Sequence, residues 1–279
     1  MPSNILVWVK IIGTVAPIAF FQTIATAKTL VEVGKTTESV IILITQKQTS
    51  KASQHRTSAE QKYNGGDYRG AVADYTRAIQ IDPNDALAYG GRGLTKAEKL
   101  QDYQGGLSDL NRSIQIAPKY ADIYDSRGTL KTLRFQDFRG ALADYTRAIQ
   151  IAPKFATSYG NRGFLRAARL HDVKGGLADF DLAIQLDPNH AGFIYSRGLL
   201  KTDRLNDVKG GLADLNRAIQ LLPNNPIAYD GRAVRKHNLL KDLPGAVADM
   251  KQAEKLYRQQ GQLEFANAAI RQLKEWQKN

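Results

Sequence analysis

The pattern of hydrophobic and polar positions is clearest in residues 137–153, where small and apolar side chains recur at the spacing of a helix. Ala141, Tyr145 and Ala148 lie at positions i, i+4 and i+7, which places them on one face of a helix. The segment is therefore predicted to be an amphipathic helix whose apolar face packs against another element.

The two ends of this helix carry residues that start and stop helices. Asp137 stands at the N-cap position, where its carboxylate can accept hydrogen bonds from free backbone N–H groups and favours the positive end of the helix dipole. Pro153 ends the pattern, because the residue before a proline avoids the α conformation. A second helical stretch follows in residues 156–170, so the sequence predicts a helical hairpin.

The same unit recurs through most of the chain at a fixed interval of 35 residues. Its closing prolines are Pro83, Pro118, Pro153, Pro188 and Pro223. Its opening aspartates are Asp67, Asp102, Asp137, Asp172, Asp207 and Asp242. One hairpin cannot bury its own apolar face, so neighbouring hairpins are expected to stack into an array with a continuous core and a curved surface.

These residues resemble tetratricopeptide repeats, a family with an aromatic residue and a glycine in the first helix, then alanine, an aromatic residue, alanine and proline. The matching residues are Tyr159, Gly163, Ala141, Tyr145, Ala148 and Pro153. The period departs from the family's 34 residues. The second helix also opens with glycine in place of alanine at Gly106, Gly176 and Gly211, which indicates close approach of two helices.

The resemblance implies an all-α fold, an α-solenoid of stacked helix-turn-helix hairpins. Residues 52–260 are predicted to form six repeats, and residues 261–279 are predicted to form a C-terminal capping helix. Residues 1–27 are predicted to be a signal peptide, and residues 28–51 a linker with one apolar, strand-like run.

The N-terminal segment differs in kind from the repeats. Residues 5–24 are mostly apolar, with Lys10 as their only charged residue, and residues 25–27 form a small-residue cleavage pattern. The charge-free stretch is short for a spanning helix and typical of a signal-peptide core. We therefore expect an exported protein of the periplasm or cell envelope. The alternative is an uncleaved membrane anchor over residues 5–27, in which Lys10 would be costly inside lipid.

The β-branched run from Val40 to Thr45 is predicted to be a strand, with no neighbouring strand to pair with it. The order of a signal segment, Ala-Lys-Thr, a short polar helix and this run is similar to the mature start of secreted trypsin-like serine proteases that in some bacteria carry tetratricopeptide repeats. The chain has no Gly-Asp-Ser-Gly-Gly nucleophile loop, and no His precedes an Asp and a Ser in a plausible frame. The resemblance thus implies a derivative without the catalytic domain.

Composition and charge narrow the possible functions. The formal net charge of +12 suits an acidic partner, an anionic membrane surface or nucleic acid. The chain has no cysteine, and Gly34-Lys35-Thr36 lacks the upstream glycine of a phosphate-binding loop. The four histidines are His55, His171, His190 and His237, and no two of them have metal-ligand spacing on one helix. We therefore predict no catalytic residue, no cofactor and no metal.

Two positions of the repeat are charged in nearly every copy. The first helix carries the arginines Arg92, Arg127, Arg162, Arg197 and Arg232. The second helix carries the aspartates Asp74, Asp109, Asp144, Asp179, Asp214 and Asp249. Our hypothesis is that each arginine reaches a neighbouring aspartate, with Arg162 and Asp144 as the pair to test, and that these partly buried pairs fix repeat-to-repeat register. The alternative is a row of ligand-binding arginines.

Two further basic rows are candidates for binding a partner. Four residues after each arginine stand Lys96, Lys131, Arg166, Lys201 and Lys236. Three residues further on stand Lys99, Arg134, Arg169 and Arg204. In the family that the repeats resemble, first helices line the concave groove, so one row could make this groove basic. The inserted residue leaves the facing open, because the two possible alignments differ by about 100° of helix rotation.

These features together predict a non-catalytic scaffold or adaptor that binds a protein or peptide segment on its curved surface. The basic rows suggest that this segment is acidic, so that binding would weaken with salt. One alternative is an RNA-binding helical-repeat protein, if the chain is cytosolic. Another is a remnant or accessory of a secreted serine protease that carries such repeats. Membrane contact is expected only through an uncleaved N-terminal segment.

Overall fold

The structure, a computed structural model, describes residues 37–278, with side chains from residue 49 onward. It contains 13 α-helices and two π-helical turns, and no strand lies in this part of the chain. The predicted all-α fold of stacked helix-turn-helix hairpins is confirmed. The signal peptide or anchor predicted for residues 1–27 lies outside the described residues.

The chain forms two compact units that divide between Pro153 and Lys154. In the N-terminal unit, three hairpins are formed by α1 (Thr37–Asn64) with α2 (Tyr68–Ile81), α3 (Ala86–Lys99) with α4 (Tyr103–Ile116), and α5 (Ala121–Leu130) with α6 (Phe138–Ile151). A π-helical turn, Lys131–Phe135, continues α5.

The C-terminal unit contains three more hairpins and a final helix. Its helices are α7 (Ala156–Arg169), α8 (Val173–Leu186), α9 (Ala191–Arg204), α10 (Val208–Leu221), α11 (Pro226–Arg235), α12 (Leu243–Gln259) and α13 (Leu263–Trp276). A second π-helical turn, Lys236–Leu240, continues α11. The last helix, α13, packs on α12 through Ala266 and Tyr257, so the final hairpin has a cover for its apolar face.

The predicted strand from Val40 to Thr45 is wrong, because these residues lie within α1. A lone strand would leave its backbone N–H and C=O groups without partners, whereas a helix pairs them within its own segment. The same helix also occupies residues 37–51, the second part of the predicted linker.

The apolar face predicted from the helical period forms the core between the helices. Ala141 and Ala148 are completely buried, and Tyr145 is almost so. The equivalent residues of the first hairpin, Ala71 and Tyr75, form a cluster with neighbouring alanines. Burying one large apolar side chain contributes about 1.5–3 kcal/mol, so repetition of this face in each hairpin is a major source of stability.

The residue that lengthens the repeat is accommodated at the end of the first helix. In α3, the N–H of Leu100 donates to the carbonyl of Thr95, five residues back, at 3.3 Å. A residue in the left-handed conformation then closes each turn, as His171 does with φ of 56°. A wider last turn leaves the register of the preceding helix unchanged. The direction in which a side chain of a first helix points therefore follows from its distance after the repeated Arg-Gly dipeptide, such as Arg127-Gly128.

The close helix approach predicted from the glycines is confirmed. A Cβ atom added to Gly211 would lie 2.7 Å from the carbonyl oxygen of Gly198 and 2.4 Å from a methyl carbon of Thr202. Alanine stands at the equivalent position in the hairpins whose first helices end in π-helical turns, at Ala141 and Ala246. Two helix backbones thus approach most closely where neither carries a side chain at the crossing.

His190 makes the stability of the C-terminal unit depend on pH. Its Nδ1 accepts a hydrogen bond from the N–H of Phe193 at 3.2 Å and caps α9, and its ring stacks on the ring of Phe193. Burial lowers the pKa of His190, and the charge of Asp187 only partly opposes this effect. Between the lowered pKa of the folded state and the unfolded value of about 6.5, the unfolded chain binds more protons than the folded chain. The contribution of His190 to the free energy of unfolding is therefore fully present above this pH range and is lost as the pH falls through it.

We expect His190→Asn to remove this pH dependence, since asparagine caps the equivalent helix at Asn225 without titrating. Thermal unfolding of both proteins, followed by circular dichroism between about pH 7.5 and about pH 5.5, should show the wild type losing roughly 1 kcal/mol more than the variant. Parallel curves for the two proteins would contradict this role of His190.

Candidate functional site

The repeated arginine and aspartate form a bidentate ion pair in each of five hairpins. In the N-terminal unit, Arg127 donates from Nε and Nη2 to the two carboxylate oxygens of Asp144, at 2.9 and 2.5 Å. The same geometry occurs in the pairs Arg92–Asp109, Arg162–Asp179, Arg197–Asp214 and Arg232–Asp249. In the first hairpin, which has no arginine at this repeat position, Nζ of Lys62 lies 2.7 Å from Oδ2 of Asp74.

The partner predicted for Asp144 is wrong, because Arg162 pairs with Asp179 and Asp144 pairs with Arg127. Each bidentate pair therefore lies within one hairpin, since the first helix faces its own second helix across the turn. Contact with the preceding hairpin is made by the third guanidinium nitrogen. Nη1 of Arg127, for example, donates to Oδ1 of Asn111 at 2.8 Å. One arginine thus joins three helices.

The first basic row belongs to the same network. Lys131 places its Nζ 2.8 Å from Asp144, as a second cation on the carboxylate that binds Arg127. The equivalent contacts are Lys96 with Asp109, Arg166 with Asp179, Lys201 with Asp214 and Lys236 with Asp249. These side chains are only about one-fifth to one-quarter exposed, and partner binding by this row stays a prediction.

The second basic row has different surroundings in the two units. In the N-terminal unit, Lys99 lies over the rings of Tyr63 and Tyr68, and Arg134 lies 4.4 Å from the ring centroid of Tyr103. These are cation–π geometries, which stabilise the turn edge of the hairpins. In the C-terminal unit, Arg169 and Arg204 line a cavity.

This cavity, which we call the groove of the C-terminal unit, has a volume of about 520 Å³. The first helices of three successive hairpins, α7, α9 and α11, supply most of its lining, and α12 and α13 close it. Its apolar side chains include Phe164, Leu199, Ile227, Val234 and Phe265. The groove therefore offers apolar contact to a ligand over several repeats.

A small set of polar groups converges on the groove. Arg235 donates to Asp203 from Nε at 3.1 Å and from Nη2 at 2.5 Å, which joins the second and third hairpins of this unit. The hydroxyl of Tyr257 donates to Asp230 at 3.3 Å. Burial raises the pKa of Asp230, while Tyr257 and the charge of Arg235 lower it by less.

Asp203, Asp230 and Arg235 were not predicted from the sequence, because these residue types are not repeated at the equivalent positions of most other hairpins. The residues equivalent to Asp230 in the other hairpins are His55, Gly90, Asp125, Gly160 and Tyr195, so this position has no common residue type and aspartate recurs only once. A first-helix position whose residue type varies between repeats was the one sequence feature that could have indicated this site.

Two negative findings concern residues 37–278 alone. Within this range, no group of three or more histidine, aspartate or glutamate side chains is arranged to hold a metal ion. None of the helices in the range is both long enough and apolar enough to cross a membrane.

Stacked hairpins with capped second helices and a repeated small–aromatic–small face define the fold of tetratricopeptide repeat (TPR) proteins. A family model described as a TPR repeat matches residues 60–99. A search of curated protein sequences finds no match to the chain.

Solved structures give the same fold. A tetratricopeptide repeat protein from Parabacteroides merdae is 18% identical, with 81% of this chain and 93% of that protein aligned at a TM-score of 0.61. YrrB, described as a TPR protein with an unusual peptide-binding site, is 20% identical over 68% of this chain and 94% of its own, at a TM-score of 0.51. A thermophilic TPR protein of Thermus thermophilus, TTC0263, is 19% identical over 66% of this chain and 97% of its own, at a TM-score of 0.54.

Proposed function

We propose that the protein is a non-catalytic adaptor that binds a peptide segment of a partner protein in the groove of the C-terminal unit. The observation that carries this proposal is the cavity of about 520 Å³ between the first helices of three hairpins. Its volume lies within the range of ligand sites in proteins, and its lining combines apolar walls with a few convergent polar groups, as such sites do. An extended or helical segment fits a groove that runs across several repeats.

The charges around the groove favour a partner of mixed charge over the acidic partner that the basic rows suggested. Five of the nine row residues bind the ladder aspartates, and two lie on tyrosine rings. Only Arg169 and Arg204 line the groove, where Asp203 and Asp230 face the same space. We therefore propose a partner segment that is recognised by its apolar side chains and by a mixed set of charges.

The proposed location is the cell envelope, for which the support is the signal-like composition of residues 5–27. An adaptor in that compartment would bind another exported protein or the exposed part of a membrane protein. Cell fractionation with an antibody to the repeat region would test this location, and recovery in the cytosol would overturn it.

The groove can be blocked without disturbing the core. Ala168 is exposed and lines the groove, so Ala168→Trp should fill part of it. Ala268 is equally an exposed helical alanine of the same unit but lies outside the groove, so Ala268→Trp is a matched control. We expect the wild type to select peptides from an array of random sequences. Ala168→Trp should weaken their binding by at least about tenfold, and Ala268→Trp should leave it unchanged.

Two results would overturn this proposal. One is the absence of any selected peptide, with binding instead to a single-stranded RNA pool offered in parallel. The other is equal loss of peptide binding in the two tryptophan variants. Fluorescence anisotropy of labelled peptides, at two salt concentrations, gives the affinities and their electrostatic part.

A further inference from the structure

The buried aspartates of the repeat show how this chain treats a carboxylate in its interior. Asp144 is almost completely buried and has two cations within 2.8 Å, Arg127 and Lys131. Four more ladder aspartates have an equivalent pair of cations, and Asp74 has Lys62 and Arg77. Buried charges in proteins are normally paired in this way, because desolvation of an isolated charge is costly.

Asp230, which is partly buried in the groove, departs from this rule. Its only hydrogen bond among the described residues comes from the hydroxyl of Tyr257, at the long distance of 3.3 Å. A carboxylate has about four acceptor sites, so the described residues use only a small part of its capacity. No lysine, arginine or histidine in residues 49–278 forms an ion pair with it.

The nearby arginine of the groove, Arg235, acts on Asp230 through its charge but forms no ion pair with it. Arg235 directs Nε and Nη2 to Asp203 and Nη1 to the carbonyl of Gly231, at 3.2 Å. All the nitrogens of its guanidinium therefore have partners. Arg204 also lines the groove, but its side chain is exposed, so solvent and salt screen its charge.

The walls around Asp230 suit the side chain of a basic residue. Tyr195, Tyr257, Phe164 and Phe265 line the groove together with it. Aromatic faces attract cations, and the methylene stem of a lysine or arginine packs well on apolar surface. The groove therefore combines a carboxylate that has no ion-pair partner among the described residues with a lining that accepts a long aliphatic stem.

We propose that Asp230 binds a lysine or arginine side chain of the partner peptide, whose stem lies between the aromatic walls of the groove. This inference rests on the proposed peptide-binding function and specifies the chemistry of one anchor position. The direction of the pKa supports it. Lys62, Ser58 and Arg77 hold the pKa of Asp74 at about 2 against the opposing effect of burial, whereas burial dominates at Asp230 and raises its pKa. A bound ammonium or guanidinium group would compensate this charge.

Substitution of Asp230 is expected to affect the stability of the free protein and its affinity for peptides differently. Asparagine at position 230 has the shape of aspartate and can still accept from Tyr257, but it has no charge to desolvate. Asp230→Asn is therefore expected to leave the melting temperature of the free protein unchanged or higher. The same substitution should weaken binding of peptides with a basic anchor by about tenfold to a hundredfold, because a charge-assisted contact is lost.

The experiment uses peptides selected by the full chain and measures their affinities by anisotropy. Each peptide is also made with norleucine in place of its lysine, which keeps the aliphatic stem and removes the charge. The double-mutant cycle of Asp230→Asn and lysine→norleucine should show that either change removes the same contact, so that the second adds little loss. Glu275→Gln, an equal charge change at an exposed site of α13 outside the groove, should have no effect.

The outcomes distinguish this inference from the function on which it rests. If peptide binding is sensitive to Ala168→Trp but unchanged in Asp230→Asn, the groove binds peptides and the anchor is wrong. If the selected peptides contain no basic residue, the anchor is also wrong. If no peptide binds the wild type, both the function and the anchor are wrong.

Discussion

Replacing Asp144 with alanine is expected to lower the free energy of unfolding of the N-terminal unit by about 3–5 kcal/mol, which is the usual loss when one member of a buried ion pair is removed. The change takes away the only carboxylate that binds both Arg127 and Lys131. These side chains are 17% and 18% exposed, so their charges would stay largely desolvated and without a counter-charge. Urea unfolding of the full chain, followed by circular dichroism, measures the loss.

A double-mutant cycle identifies the partner of Asp144. We expect Asp144→Ala and Arg127→Ala to be coupled by more than about 1 kcal/mol, because each single change already breaks the bidentate pair. The control is Arg92→Ala, which breaks the equivalent pair with Asp109 in the preceding hairpin and should add to Asp144→Ala. If the Arg127 and Asp144 losses simply add, the two side chains do not stabilise the hairpin as a pair.

Substitution of Gly211 should have the second largest effect. A Cβ atom at this position would lie 2.7 Å from a backbone oxygen of α9, at Gly198, and this oxygen cannot rotate away as a side chain can. Gly211→Val is therefore expected to cost about 2–3 kcal/mol through overpacking, although valine is a better helix former than glycine. The same unfolding measurement, applied to the transition of the C-terminal unit, gives the value.

Two matched changes show whether close packing causes this loss. Lys209→Val introduces the same β-branched side chain at an exposed position in the same turn of α10, and it should cost only a few tenths of a kcal/mol. Ala141→Gly makes the reverse change in a hairpin whose first helix ends in a π-helical turn, and it should cost about 1 kcal/mol. A Gly211→Val protein as stable as the Lys209→Val protein would show that the helices can separate without cost.

The arginine–aspartate ladder shows where the sequence was sufficient and where it was not. The regular positions of the two residues predicted partly buried pairs, and the structure contains them. Asp144 is 17 residues from Arg127 and 18 residues from Arg162, so separation along the chain hardly distinguishes the two partners. The pairing depends on how the helices of one hairpin face each other, which no single position encodes.

The groove was harder to predict than the ladder. Its lining depends on which side of the first helix faces away from the second, and one inserted residue turns that side by about 100°. The structure places the insertion in the widened turn before residues such as Gln101 and Gln136. The polar groups of the groove, among them Asp230 and Arg235, come from positions that do not repeat.

The sequence by itself determined the period of the array, the capped second helices and the small–aromatic–small face, because these features arise from contacts within one or two turns of helix. It did not determine the conformation of residues 40–45, where β-branched side chains favoured a strand and continuity with α1 favoured a helix. Only the tertiary structure decided which cation binds which carboxylate, and that Asp230 forms no ion pair within the described residues. The physical reason is that pairing and desolvation depend on the packing of separate helices, whereas helix formation depends mainly on neighbouring residues.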